Sequence, residues 1–190
     1  MNSKELQLII KCGETSTVQF KECFPNQDSI AAEMVAMSNA RGGMILFGIK
    51  DKTGEITGLR YPEIQQINSM LANIATNLLR PVIYIQTETV IVDERSLLIA
   101  HIAEGDNKPY NYFNGIIWTK QGEDKRKVME NSEIMRLFQC SGILYADEQP
   151  IPFTSEKDIN GYALDNFIRK EYGREKDSFG ILYTELLHNL

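Results

Sequence analysis

The sequence predicts an α+β fold in which a mixed sheet of about six strands packs against helices and a small C-terminal helical extension follows. Three observations support this prediction: strand-like apolar runs, apolar residues at helical steps of three and four, and a change in the sequence pattern after Gly142. We therefore expect one domain over residues 1–142. Residues 143–190 are expected to form a linker and helical extension that begins a further domain of a longer protein.

The first half of the chain alternates between helical and strand patterns. Apolar residues at helical spacing predict helices at three places: residues 3–11, a segment capped by Asp28 or Ser29, and Pro62 to Leu78. The alternating run over residues 15–22 predicts a strand with one polar face. The continuous apolar run MILFGI predicts a central strand covered on both faces, and residues 56–59 are expected to return as a short strand.

Two predicted hairpins dominate the second half. Residues 82–92 and 97–103 are joined by a polar turn, and residues 110–113 and 116–119 flank Asn114-Gly115, a type I′ turn signal. Further helices are predicted over residues 132–139, 157–172 and 178–189. These elements together give the α+β class.

Composition favours a cytoplasmic globular protein. The N-terminus has no signal-peptide pattern, and no apolar run is long enough to span a bilayer, so we expect no membrane association. The cysteines fit neither a zinc pattern nor a redox pair, which indicates reduced thiols: Cys12, Cys23 and Cys140. The net charge is −6, so any nucleic-acid site must be a local basic patch on an acidic protein.

Polar residues near two predicted strands suggest a metal site. If the strands at 15–22 and MILFGI are neighbours, Glu14, Gln19 and Asp51 converge near one rim of the sheet. Converging carboxylates are the usual ligands for Mg²⁺ or Mn²⁺ in phosphodiester cleavage, which makes these three the candidate catalytic residues and Glu14 and Asp51 the candidate metal ligands. The alternative is a solvated strand face and a turn aspartate.

Phosphate could be bound at two other places. In the sequence SNARGG, Asn39, Gly42 and Gly43 could form a backbone nest for a phosphate, or the glycines could serve only close packing. Later, a basic run follows an aromatic segment, where cations can neutralise phosphates and rings can stack on bases. The cations of this region are Lys108, Lys120, Lys125, Arg126 and Lys127. The alternative is a solvated loop whose charge Glu123 and Asp124 partly offset.

Several of these motifs occur together in a fixed order. They are Glu14-x₄-Gln19-Phe20-Lys21, Ser38-Asn39-Ala40-Arg41-Gly42-Gly43, Phe47-Gly48-Ile49-x-Asp51, Lys108-Pro109-Tyr110, Trp118-x-Lys120-x-Gly122 and Lys125-Arg126-Lys127. In this order the chain resembles the Schlafen AlbA-like domain over residues 10–140. The resemblance implies an α+β fold and nucleic-acid binding, as in the DNA-binding domains of bacterial transcriptional regulators.

The resemblance also implies a second activity, because some Schlafen proteins are metal-dependent ribonucleases with three carboxylates. Carried over, those positions are Glu14, Gln19 and Asp51. The middle residue is an amide here, which supplies a carbonyl oxygen but no negative charge and so weakens a divalent-cation site.

Three functions follow as hypotheses. The preferred one is a DNA-binding domain of a transcriptional regulator, without cofactor, whose phosphate contacts are Lys21, Lys108, Lys120, Lys125, Arg126 and Lys127. The second is a ribonuclease that requires Mg²⁺ or Mn²⁺ and acts on structured RNA. The third is a structural or oligomerising domain. DNA or RNA, further domains of the same chain and a second copy in a homodimer are the partners we consider.

Overall fold

The computed structural model describes residues 1–145, 153 and 155–173. The chain divides into two compact units, Met1–Ala146 and Asp147–Leu190, which we treat separately. In the first unit the helices are α1 (Ser3–Cys12), α2 (Gln27–Asn39), α3 (Tyr61–Asn73, continued by a π-helical turn at Ile74–Leu78) and α4 (Asn131–Cys140). The strands are β1 (Val18–Lys21), β2 (Gly43–Phe47), β3 (Leu79–Arg80), β4 (Ile85–Val92), β5 (Arg95–Ile102), β6 (Asn111–Tyr112), β7 (Trp118–Gln121) and β8 (Asp124–Lys127).

The central sheet has four strands in the order β1-β2-β5-β4. β1 runs parallel to β2, with Val18 opposite Met44, and both other contacts in the sheet are antiparallel. β1 and β4 are therefore the two edge strands. The α+β class is confirmed, and the remaining strands form two short ribbons, β3 with β6 and β7 with β8.

Side chains alternate between the two faces of the sheet, and each face has its own apolar cluster. On one face Phe47 and Ala100 pack with Met34 of α2 and Leu71 of α3. On the other face lie β1, β4 and β5 residues around the fully buried Leu6 of α1. α2 is buried along most of its length because it lies under both the sheet and the β7–β8 ribbon, which explains its mixture of alanine, methionine and valine.

Two local predictions are wrong: the residue that caps α2 and the short strand over residues 56–59. Asn26 caps α2, since its Oδ1 accepts the Ser29 N–H at 2.7 Å, so neither Asp28 nor Ser29 is the cap. The expected short strand over 56–59 is reduced to one bridge, Ile49 with Ile56.

The second predicted hairpin is wrong in its pairing. A turn forms here, in which the Gly115 N–H donates to the Tyr112 carbonyl at 2.7 Å, but Asn114 does not have a positive φ, so this is not the predicted type I′ turn centred on Asn114-Gly115. However, the return across the turn is limited to one hydrogen bond, in which the Tyr112 N–H donates to the Ile116 carbonyl at 3.0 Å. β6 pairs with β3, and β7 pairs with β8 and not with residues 110–113. The reason is tertiary: Tyr112 is buried in the cluster on the α2 face, which places β6 beside the residues that follow α3.

In the second unit, Glu156–Asp158 forms one 3₁₀ turn and α5 spans Gly161–Tyr172, where Asn160 caps the helix. The helix predicted over 178–189 lies outside the described residues. None of the helices in the part of the chain that the structure covers combines the length and apolarity needed to cross a membrane.

Candidate nucleic-acid interface

The outer edge of β1 collects three of the residues singled out in the sequence. The Glu14 carboxylate accepts the Phe20 N–H at 2.8 Å. The Lys21 ammonium donates to the Phe20 carbonyl at 2.6 Å and to Asp51 Oδ2, also at 2.6 Å. Glu14 and the Lys21–Asp51 pair thus occupy the two outward backbone groups of one residue, Phe20, at the edge of the sheet.

Gln19 points elsewhere. Its side chain is 7% exposed, and Nε2 donates to the Glu123 carbonyl at 2.9 Å and to the Val18 carbonyl at 3.2 Å. Gln19 therefore ties the turn of the β7–β8 ribbon to β1. A divalent cation does not fit this arrangement: Asp51 is engaged by an ammonium group, and Gln19 is neutral and turned to the ribbon. Across residues 1–145, 153 and 155–173 no three His, Cys, Asp or Glu side chains form a metal-binding group.

A buried carboxylate on α2 pairs with two lysines of the β7–β8 ribbon. Glu33 accepts from the Lys120 ammonium at 2.7 Å and from the Lys125 ammonium at 3.0 Å. The side chains of Glu33 and Lys120 are 3% and 2% exposed, and that of Lys125 is 25% exposed. A phosphate could reach Lys120 only by displacing Glu33, so the predicted phosphate contact at Lys120 would require this buried pair to open.

Asn39 at the end of α2 uses its whole amide on backbone groups of the segment that leads to the ribbon. Its Nδ2 donates to the Tyr110 and Trp118 carbonyls, both at 2.8 Å, and its Oδ1 accepts the Tyr110 N–H at 2.7 Å. The two glycines that follow are packed against backbone. A Cβ at Gly42 would lie 2.7 Å from a backbone atom, and one at Gly43 would lie 2.5 Å from one. In this structure Gly42 and Gly43 allow close packing of the backbone, and they do not form an open nest of N–H groups for a phosphate.

The other predicted cations also have neighbours. Lys108 is 7% exposed and donates to Glu104 at 2.6 Å and to the Ala40 carbonyl at 3.0 Å. Arg126 forms a two-pronged pair with Glu133 of α4 at 2.6 and 3.0 Å, which raises the pKa of its guanidinium.

Lys127 differs from the cations before it. Its ammonium lies 5.6 Å from the centre of the Trp118 ring, an arrangement in which the ring stabilises the cation without neutralising it. Of the six predicted phosphate contacts, only Lys127 has no carboxylate partner within the described part of the molecule. The basic run is thus mostly compensated by acidic residues from α2 and α4.

The structure adds two cations that sequence reasoning missed. Lys11 and Lys52 line a polar cavity of about 380 Å³ together with Glu14 and Glu123. Both lysines are exposed, and neither has an ion-pair partner among the residues that the structure describes. Pattern analysis could not find them, because Lys11 ends α1 and Lys52 lies in a turn 41 residues later, with no shared motif.

The missed carboxylate, Glu33, did leave a signal. It is the single charged residue between Asp28 and Arg41, in the otherwise uncharged and mostly apolar run SIAAEMVAMSNA. A lone acid inside a buried helix needs a partner, and the nearby basic run offers candidates.

Comparison with known proteins decides the family. The sequence model of the family described as Schlafen, AlbA_2 matches residues 14–130. The chain belongs to this family. The matched range contains the sheet, the β7–β8 ribbon and every site residue predicted from the sequence, whereas Lys11 of the cavity and Glu133 of α4 lie just outside it.

One curated relative of this Schlafen, AlbA_2 chain is an uncharacterized ATP-binding protein, UU034, of Ureaplasma parvum serovar 3. It is 34% identical over 140 residues, which are 72% of this chain and 38% of the relative. The chain therefore spans well under half of that protein.

One solved structure adds a likeness of fold, and a second gives a weaker match. The DIP2311 protein of Corynebacterium diphtheriae matches 88% of this chain and 37% of its own, with a TM-score of 0.52 and 19% identity. The N-terminal domain of a RecG-related protein of Nitrosomonas europaea matches 69% of this chain and 96% of its own, with a TM-score of 0.46 and 18% identity.

Proposed function

We propose that this Schlafen, AlbA_2 domain binds nucleic acid, with DNA as the preferred form, and serves as the DNA-binding domain of a transcriptional regulator. The observation that carries the proposal is the polar cavity beside the edge of β1, where Lys11 and Lys52 have no carboxylate partner among the described residues. Family membership supports a role connected with nucleic acids.

Free cations matter because a phosphate gains most from a charge that is not already paired. When an unpaired surface lysine binds a DNA phosphate, a counterion condensed on the DNA is released. This release favours binding, and it makes the affinity fall steeply as the salt concentration rises. A lysine paired with a buried carboxylate must first lose that partner. Lys11, Lys52 and Lys127 are therefore the phosphate contacts we favour, with Arg126, whose side chain is 42% exposed, in a secondary role.

The cavity has the size and chemistry for one nucleotide unit. Its volume of about 380 Å³ falls in the range of small-ligand sites. Two lysines can bind a phosphate, while Glu14 and Glu123 can accept hydrogen bonds from sugar hydroxyls or base N–H groups. The Ureaplasma relative is named as an ATP-binding protein, which supports a ligand of the same chemistry, although this chain lacks a P-loop sequence.

A salt titration with matched variants tests the proposal. Binding to duplex DNA, single-stranded DNA and tRNA is measured for the wild type and for Lys11→Ala/Lys52→Ala, with ATP as a competitor in a parallel series. Loss of two phosphate contacts should reduce the slope of log affinity against log salt by about 2. The control is Lys4→Ala/Arg136→Ala, which removes the same charge from two exposed residues that do not line the cavity.

The control variant should keep the slope of the wild type. Equal slopes for both double variants would contradict the assignment of the cavity. No measurable binding of any nucleic acid would contradict the function itself.

The metal-dependent ribonuclease is the second candidate, and one observation favours it: Glu14 and Asp51 both lie at the outer edge of β1. The Lys21 ammonium on Asp51 and the amide of Gln19 weigh against it. Incubation with tRNA and Mn²⁺ should therefore give no cleavage. Cleavage that is lost in Asp51→Ala would favour this second candidate over a pure binding module, and a gain of cleavage in Gln19→Glu would indicate a decayed site.

A further inference from the structure

The second edge of the central sheet is open along the whole of β4. Residues of β5 point their backbone groups alternately to β2 and to β4. The Met44 N–H donates to the Thr17 carbonyl on the β1 side, so the next residues along, Ile45 and Phe47, face β5, and their partners Ala100 and Leu98 face β2. Their partners on β4, Thr89 and Thr87, therefore point their N–H and C=O groups away from the sheet. The same alternation applies to Ile91.

No described residue bonds to these outward groups. β1, the opposite edge, is treated differently: its outward Phe20 N–H and C=O are occupied by Glu14 and Lys21. Natural edge strands are usually blunted by proline, lysine, a bulge or a covering segment. β4 has eight residues, continuous pairing with β5 and neither proline nor lysine, so it keeps a regular unpaired ladder.

The side chains of β4 suit pairing with a strand of the same sequence. The outward-bonding residues Thr87, Thr89 and Ile91 are β-branched, and such residues favour strand pairing. Ile91 is 64% exposed, an apolar residue at the rim of the sheet with no covering side chain in the described structure. Antiparallel pairing of two copies would cover it.

The register of such a pairing follows from the charges. Antiparallel pairing centred on Glu88 would place two Glu88 carboxylates opposite each other, which is destabilising. Centring the two-fold axis on Thr89 avoids this conflict and places Thr89 opposite its own copy. It also places Thr87 opposite Ile91 of the second copy and supplies about six hydrogen bonds between the strands.

We propose that the outer edge of β4 is a homodimer interface, at which two copies of this chain pair antiparallel about Thr89 and form one continuous eight-stranded sheet. The interface is separate from the cavity at the edge of β1, so it does not depend on nucleic-acid binding. Because the chain carries a net charge of −6, copies repel at low salt, and added salt should strengthen the dimer while it weakens binding to nucleic acid.

The association state of the full chain tests this proposal. Sedimentation velocity from about 1 to 100 µM should show a concentration-dependent dimer. Ile91→Lys and Thr89→Pro should shift the protein to monomer, the first by adding like charges at the rim and the second by removing an outward N–H that β5 does not use. Leu8→Lys is the matched control, since Leu8 is 65% exposed on α1 and should leave the dimer unchanged.

Folding is checked in each variant by circular dichroism and thermal unfolding, so that a monomer is compared only with another folded protein. A wild type that stays monomeric over the whole range would overturn the proposal. So would a dimer that persists unchanged in folded Ile91→Lys, because the contact would then lie elsewhere.

Disulfide formation tests the register in a background in which Cys12, Cys23 and Cys140 are replaced by serine. Opposed residues of a hydrogen-bonded pair have Cα atoms about 5.5 Å apart, within reach of a disulfide. Thr89→Cys should therefore cross-link two copies upon oxidation. Thr87→Cys should not, because its copy would lie about 13 Å away along the strand. Cross-linking of Thr87→Cys alone would refute pairing about Thr89.

Discussion

Removing the negative charge of Glu33 should destabilise the protein severely. In Glu33→Gln, the Lys120 ammonium would remain in a site where its side chain is 2% exposed, without a carboxylate. Removal of one partner from a buried ion pair costs about 3–5 kcal/mol, and such pairs are not screened by solvent. Glutamine can still accept one hydrogen bond, and Lys125 is partly exposed, so we expect about 3 kcal/mol, a large share of a domain's stability.

Urea unfolding monitored by Trp118 fluorescence and by circular dichroism measures this loss. Trp118 is the only tryptophan and lies on β7, so its emission reports on the ribbon that Glu33 holds. With a urea dependence of about 2 kcal/mol/M, the midpoint should fall by about 1.5 M. The control is Glu133→Gln, whose pair with Arg126 is much more exposed and should contribute less than about 1 kcal/mol.

A midpoint shift for Glu33→Gln no greater than that of the control would refute the reasoning. It would mean that the Lys120 ammonium reaches water in solution. A double variant, Glu33→Leu with Lys120→Met, separates the cost of the orphaned charge from that of the pair itself. Replacing both partners with apolar residues should recover most of the stability, since the attraction within a buried pair is largely offset by its desolvation.

Three further predictions concern other contacts of the fold. Burial and the hydrogen bond to Asp28 raise the pKa of Tyr112 to about 12. As pH rises, the Tyr112 hydroxyl loses its proton in the unfolded state before it does so in the folded state. The free energy of unfolding should therefore fall as pH rises from 10 towards 12. Tyr112→Phe should remove this part of the pH dependence, measured by urea unfolding. Gly42→Ala should lower the thermal midpoint much more than Gly115→Ala, because both have positive φ but only Gly42 meets backbone atoms, and equal shifts would contradict this. Asn39→Ala should cost about 3 kcal/mol in urea unfolding, since it leaves three backbone groups without their partner, and a loss below 1 kcal/mol would indicate that water replaces the amide.

Elements whose signals are local were predictable from the sequence. The β4–β5 hairpin was found because both strands and the turn lie within one short segment, and Asp93 and Glu94 adopt the positive φ angles of a tight turn. α3 was found from its helical spacing. The partner of β6 was not found, because β3 lies about 30 residues earlier and its two residues have no strand pattern of their own.

The candidate site was less predictable, for a related reason. Sequence shows which residues carry charge but not which charge each one meets. Along β8 successive side chains point to opposite faces, so Lys125 meets Glu33 on α2 while Arg126 meets Glu133 on α4. The sequence suggests that this basic run forms one positive patch, but in the structure its cations pair with carboxylates of two different helices.

This division changes what the basic run can contribute to binding. In a protein of net charge −6, cations that fasten a ribbon to its helices stabilise the fold, and only cations left over can attract a phosphate at no structural cost. Lys125→Ala should accordingly affect stability more than affinity, whereas Lys127→Ala should affect affinity more than stability, because among the described residues the Lys127 ammonium has the Trp118 ring, and no carboxylate, as its partner. If both substitutions reduced affinity equally in folded protein, the ribbon would have to release Glu33 when nucleic acid binds.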